Sequence, residues 1–116
     1  FASNENPDSF AFVLLNSTTP GGAPAFQRYT PANIGSNRPE NAFAIADINR
    51  DGRADLVATN FLDRTVRTYF NGSPVGSLAA PVLNAAGIQA ISGRPDGIQA
   101  ADINGDGRID LVTATR

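Results

Sequence analysis

A chain of 116 residues is long enough for one domain with a real core, and 41% hydrophobic content excludes a disordered segment. The formal net charge is −2 and all nine basic residues are arginines scattered without a stripe, so a nucleic-acid footprint is excluded; no apolar run reaches the length of a membrane span. The absence of cysteine and histidine removes disulfides, thiol nucleophiles, the commonest general base and the usual transition-metal ligand.

In chain order, the first strand-like run is Phe-Ala-Phe-Val-Leu-Leu-Asn at 10–16, with a weaker candidate, Ala-Phe-Gln-Arg-Tyr-Thr, at 25–30. Residues 41–47 alternate the larger Phe43 and Ile45 with Ala42, Ala44 and Ala46, the period of two expected of a half-buried strand. Asp-Leu-Val-Ala-Thr-Asn-Phe at 55–61 is rich in strand formers, and 62–64 turn the chain into Thr-Val-Arg-Thr-Tyr-Phe at 65–70. Asn-Gly-Ser-Pro at 71–74 ends that run, and a fourth strand is predicted through 80–84. Glycine, proline and alanine blur the pattern over 17–40 and 72–95. The final strand is predicted at 110–115.

Between these strands lies a stretch that occurs twice: Ala-Asp-Ile-Asn-Arg-Asp-Gly-Arg-Ala-Asp-Leu-Val at 46–57 and Ala-Asp-Ile-Asn-Gly-Asp-Gly-Arg-Ile-Asp-Leu-Val at 101–112. Counted from Asp47, oxygen-bearing side chains fall at positions 1, 3, 5 and 9 (Asp47, Asn49, Asp51, Asp55), with Gly52 at position 6 and the carbonyl of Arg53 at position 7. Asp102, Asn104, Asp106, Gly107, Arg108 and Asp110 repeat the pattern. Alternating oxygens around a sharp glycine turn suit a hard cation with six to eight oxygen ligands, above all calcium. Asp, Asn and Gly also make ordinary surface turns. Two copies of one five-position pattern argue for two Ca2+ sites instead. An EF-hand is rejected, because the bidentate glutamate it needs at position 12 is replaced by Ala58 and Thr113, and the flanks are strand-like.

Asp47 and Asp102 are 55 residues apart, as are Asn16 and Asn71. The unit of about 55 residues appears roughly twice, with approximate repeats 10–64 and 65–116 plus 1–9 within one module spanning 1–116. Four short strands per unit, with no helical periodicity, predict an all-β chain of β-propeller-type blades; a β-sandwich of the same strands is the alternative.

On the residues at 46–60 and 101–115, and on the following strand at 65–71 and 10–16, the chain resembles the FG-GAP-like or VCBS repeat family. Such calcium-loop blades occur in integrin α-subunit propellers and in several propeller lectins. The resemblance implies that each loop joins two strands of one blade and binds calcium. The ligands it carries over are Asp47, Asn49, Asp51, Arg53 (carbonyl) and Asp55, then Asp102, Asn104, Asp106, Arg108 (carbonyl) and Asp110.

Two blades do not close a ring, and open edges are a liability. With no methionine, residue 1 is not a translation start, so the chain is expected to be processed or part of something longer. It reads as cut mid-blade, the run at 10–16 being the strand that the hairpin at 110–115 needs next. The expected partners are further blades of a longer chain, or other copies in a ring or fibre.

Enzyme chemistry is not expected: six of the eleven acids belong to the loops, and Glu5, Asp8, Glu40, Asp63 and Asp96 read as solvated turn residues. Tyr29, Tyr69, Phe26 and Phe61 read as core or blade-interface residues. The first functional expectation is a secreted, calcium-stabilised binding or adhesion module, its ligand a protein or, by resemblance to the lectins, carbohydrate. The second is a structural protomer exchanging strands in an extracellular assembly, and the third a non-catalytic propeller appended to an enzyme. An extracellular setting follows from affinity: such loops work at about 0.1–1 mM calcium, far above resting cytosol.

Overall fold

A computed structural model describes residues 13–29, 40–79 and 81–116. Among them the chain is all β, with strands β1 (Val13–Asn16), β2 (Phe26–Tyr29), β3 (Glu40–Ala46), β4 (Asp55–Asn60), β5 (Thr65–Asn71), β6 (Leu83–Ala90), β7 (Pro95–Ala101) and β8 (Asp110–Thr115). No helix long and apolar enough to cross a membrane is found among the described residues. The strands form three antiparallel sheets, β1–β2, β3–β4–β5–β6 and β7–β8, in which every hydrogen-bonded neighbour is also the next strand in sequence. The arrangement is one complete propeller-type blade flanked by two halves, open at both ends. Its complete sheet takes β3 and β4 from the first sequence repeat and β5 and β6 from the second, so sheet and repeat are offset by half a unit.

Two local features show that the halves are built like the corresponding parts of the whole. The N–H of Thr18 donates to Oδ1 of Asn16 as that of Ser73 does to Asn71, each at 2.9 Å. Across the same hairpins Ser17 N–H reaches the Ala25 carbonyl at 2.9 Å, and Gly72 N–H the Val82 carbonyl at 2.8 Å. Thus β1–β2 repeats β5–β6. At the other end, Pro95 pairs with Thr115 as Glu40 pairs with Asn60, and each pair is followed by a bulge. Thus β7–β8 repeats β3–β4 in the same 55-residue frame.

Two strands depart from the sequence expectation. The fourth strand, expected at 80–84, is met at its end only: β6 starts at Leu83 and continues to Ala90, and residue 80 lies outside the described residues. The central Ala85, Ala86 and Gly87 of β6 have weak strand propensity, and pairing with β5 (Thr65↔Ala90 through Asn71↔Leu83) imposes the conformation. β7 falls partly in the blurred stretch and carries Pro95 and Gly97; proline is tolerated because it opens the strand.

The core lies on both faces of the complete sheet, because successive β4 side chains point to opposite sides. On one face Ala58, Tyr69 and Leu83 cluster with Leu56. On the other Val57 and Val66 meet Ile98 of β7, with Ala42, Ala44, Ile48 and Ile91 around them. That second cluster is the seam between blades, and the alanines of β3 let β7 approach closely. Burying each large aliphatic side chain there stabilises the seam by about 1.5–3 kcal/mol. At the far end of the seam the guanidinium groups of Arg94 and Arg116 lie 4.9 and 5.7 Å from the Phe61 ring centroid.

Of the four aromatics expected in the core or at a blade interface, Tyr69 is 3% exposed, while Phe26, in the two-stranded β1–β2 sheet, is 56% exposed. Glu40 also departs from its expectation as a solvated turn residue: its side chain is only 1% exposed, 3.8 Å from Arg67 Nε. Residues 10–12 and 30, Glu5 and Asp8 lie outside the described residues.

Candidate metal loops

Each loop joins the first two strands of a blade: 47–54 connect β3 to β4, and 102–109 connect β7 to β8. The glycine at position 6 has the left-handed backbone that the turn demands, with φ of 83° at Gly52 and 78° at Gly107.

In the first loop the N–H of Asp51 donates both to Oδ1 of Asp47 and to Oδ1 of Asn49, each at 3.1 Å, so these two oxygens stand side by side. Gly52 N–H donates to the second Asp47 oxygen at 2.9 Å, and Arg53 N–H to Oδ1 of Asp51 at 2.9 Å. The Asn49 amide donates to the other Asp51 oxygen at 3.1 Å. Asp47, Asn49 and Asp51 are thereby drawn to one side of the turn.

Asp55 has a different setting. It is 1% exposed, and its Oδ2 accepts from Ile48 N–H at 2.8 Å while Oδ1 accepts from Asn71 N–H at 2.9 Å. The Asn71 amide in turn donates to the Ala54 carbonyl at 2.9 Å. One carboxylate therefore ties the loop, β4 and the end of β5 together. The sequence marked Asn71 only as a strand end; its role as Asp55's partner comes from the third strand.

The second loop repeats the first. Asp106 N–H donates to Asp102 at 3.1 Å and to Asn104 at 3.2 Å, Gly107 N–H to Asp102 at 2.7 Å, and Ile103 N–H to Asp110 at 2.9 Å. Two differences stand out. Asp110 is half-buried rather than buried, since its sheet has two strands. The Arg108 side chain also binds Asp106 at 2.8 Å. That bond first, and the Arg108 N–H second, hold the Asp106 carboxyl below the usual aspartate range.

Among the described residues no three carboxylates close on one another tightly enough to form a cage by themselves. The donor set fits a hard cation in another way. Each loop presents three carboxylates and an amide oxygen, and a carboxylate oxygen holding one N–H keeps lone-pair capacity for a cation. A cavity of about 360 Å³ opens beside the first loop, between Val13 and Leu15 of β1 and Ile45, Leu56 and Leu83 of the complete blade.

Comparison with curated proteins found no match. The family model of the FG-GAP-like repeat matches residues 47–113. The match starts at Asp47, the first position of the first loop, and runs through the second loop into β8, taking in the whole of β4–β7. It spans more than half of the chain and contains both acidic loops, and on that ground the chain belongs to the FG-GAP-like repeat family.

Proposed function

We propose that this chain is a calcium-binding propeller module serving binding or adhesion outside the cell, with calcium in a structural role. One ion is held by Asp47, Asn49, Asp51, the Arg53 carbonyl and Asp55, the other by Asp102, Asn104, Asp106, the Arg108 carbonyl and Asp110. The observation that supports this reading most is the same convergence of three acidic and amide side chains on a left-handed glycine turn in both loops. A cation held by five or more loop oxygens has little room for a substrate, so its effect is to clamp two strand ends and link blade stability to free calcium. Loops of this strength fill at extracellular calcium and stay empty in resting cytosol. The ligand class is a carbohydrate or a protein, and a glycan array on the calcium-loaded chain separates the two.

Calorimetric titration with calcium tests the metal reading directly. Two sites are expected, with Asp51→Ala abolishing one and Asp106→Ala the other. At 10 mM calcium each filled site adds about 1.4–2.7 kcal/mol to unfolding stability if its Kd is about 0.1–1 mM. A chain that takes up no calcium at millimolar concentrations ends this reading.

A second reading is favoured by one observation: β1–β2 repeats β5–β6, while β7–β8 repeats β3–β4 and, among the described residues, has no third strand. The strands that β7–β8 needs are of the type that β1–β2 supplies. Copies exchanging strands would build a ring or fibre, and further blades of a longer chain would fill the same edge. An appended propeller of a secreted enzyme has no separate support in the geometry.

A further inference from the structure

The two loops touch. Arg50, at position 4 of the first loop, donates from Nε to the carbonyl of Gly107, at position 6 of the second, at 3.1 Å. Its guanidinium closes over that glycine: a Cβ on Gly107 would stand 2.7 Å from Arg50 Nη2. The bond spans the seam between the complete blade and the next half-blade, and it fixes the peptide leading into Arg108, whose carbonyl is position 7.

Arg50 is also unusual where it sits. Its φ is 64°, a left-handed backbone that L side chains seldom adopt. The second loop has Gly105 at the same position, with φ of 76°. Glycine is thus the unstrained choice, and arginine stands in the loop that faces a neighbour. The residues on either side of it, Asn49 and Asp51, carry the oxygens at positions 3 and 5.

We infer that Arg50 is a positioning residue that couples the two cation sites, so that filling the first loop tightens binding at the second. The inference rests on the calcium reading above. A cation held by Asn49 and Asp51 sets the backbone between them and so aims the Arg50 side chain. The guanidinium then holds the 107–108 peptide in the turn the second site uses. By linkage the second ion tightens the first to the same degree. The planar fork is needed for this, because Arg50 reaches Gly107 through Nε while Nη2 covers the glycine; an ammonium carries the charge without that geometry.

The test is the calcium affinity of the second loop, read by calorimetry in wild type, Asp51→Ala, Arg50→Gly and the double variant of the 116-residue chain. Arg50→Gly makes the first loop match the second at this position and removes the left-handed strain, so folding is retained. Disabling the first loop with Asp51→Ala weakens the second about fivefold when Arg50 is present, and less than about twofold in the Arg50→Gly background. Arg50→Lys behaves like Arg50→Gly. Equal changes in the two backgrounds, or tighter second-site binding on loss of the first, overturn the coupling while leaving calcium binding intact. No calcium uptake by wild type overturns both. A metal-free measurement reads the contact itself: amide exchange at Gly107 and Arg108 speeds severalfold in Arg50→Gly, and unchanged exchange there removes the strut on which the coupling depends.

Discussion

At the residue scale Glu40 stands out, because its charge is held where water is scarce. Neither of its oxygens accepts a hydrogen bond within the described residues. Among the described residues Arg67 faces it at 3.8 Å and is shared with Asp63 at 3.3 Å. Burial pushes the Glu40 carboxyl above the usual glutamate range, Arg67 pulls it part of the way back, and Asp63 raises it again. A carboxyl with a raised folded-state value binds its proton more tightly folded than unfolded. The stability gained that way is fully present below the ordinary glutamate value and is lost as pH rises through the raised one. Each unit of separation is worth about 1.4 kcal/mol. Urea unfolding across this range is expected to show wild type losing stability relative to Glu40→Gln as pH rises, with the two converging in slope above it. Parallel profiles throughout would show that Glu40 is not the titrating group. The sequence read Glu40 as a solvated turn residue ahead of the strand at 41–47, because nothing local marks its neighbour Arg67, which lies two strands away in β5.

At the scale of elements, the two loops have nearly the same sequence but different surroundings. Asp55 accepts from the loop and from β5; Asp110 accepts from Ile103 in a sheet of two strands. Asp55→Asn turns an amide N–H2 toward backbone donors and leaves a buried N–H unmatched, at a cost of about 1–3 kcal/mol. The half-buried Asp110 tolerates the same change at a smaller cost. Urea unfolding in chelator, which removes any contribution from bound calcium, is the appropriate comparison; equal losses would mean that the third strand adds nothing to Asp55. Loop spacing, glycine positions and the strands at 55–61 and 65–70 were legible because each rests on local chemistry: oxygen periodicity, a left-handed turn and strand-forming side chains. The full extent of β6 and the existence of β7 were not. Their Ala-, Gly- and Pro-containing segments become strands by pairing with β5 and β8, which are remote in sequence for part of their length.

At the scale of the whole molecule, the seam built by Val57, Val66 and Ile98 shows how successive blades pack. Propeller rings typically have four to eight blades. If copies close such a ring, each bringing two blades' worth of strands, particles of about two to four chains are expected in calcium. Light scattering with and without chelator measures this, and a monomer that unfolds cooperatively in both conditions would leave strand exchange without support. The sequence by itself determined the repeat length, the two acidic loops and the all-β class, since each is written in the period and identity of neighbouring residues. Only the tertiary structure decided which strands share a sheet, that the sheet is offset by half a repeat, that Asn71 completes Asp55, and that Arg50 reaches Gly107. Those are contacts between residues 16 and 57 positions apart, and short-range pattern carries no record of which distant groups packing will bring together.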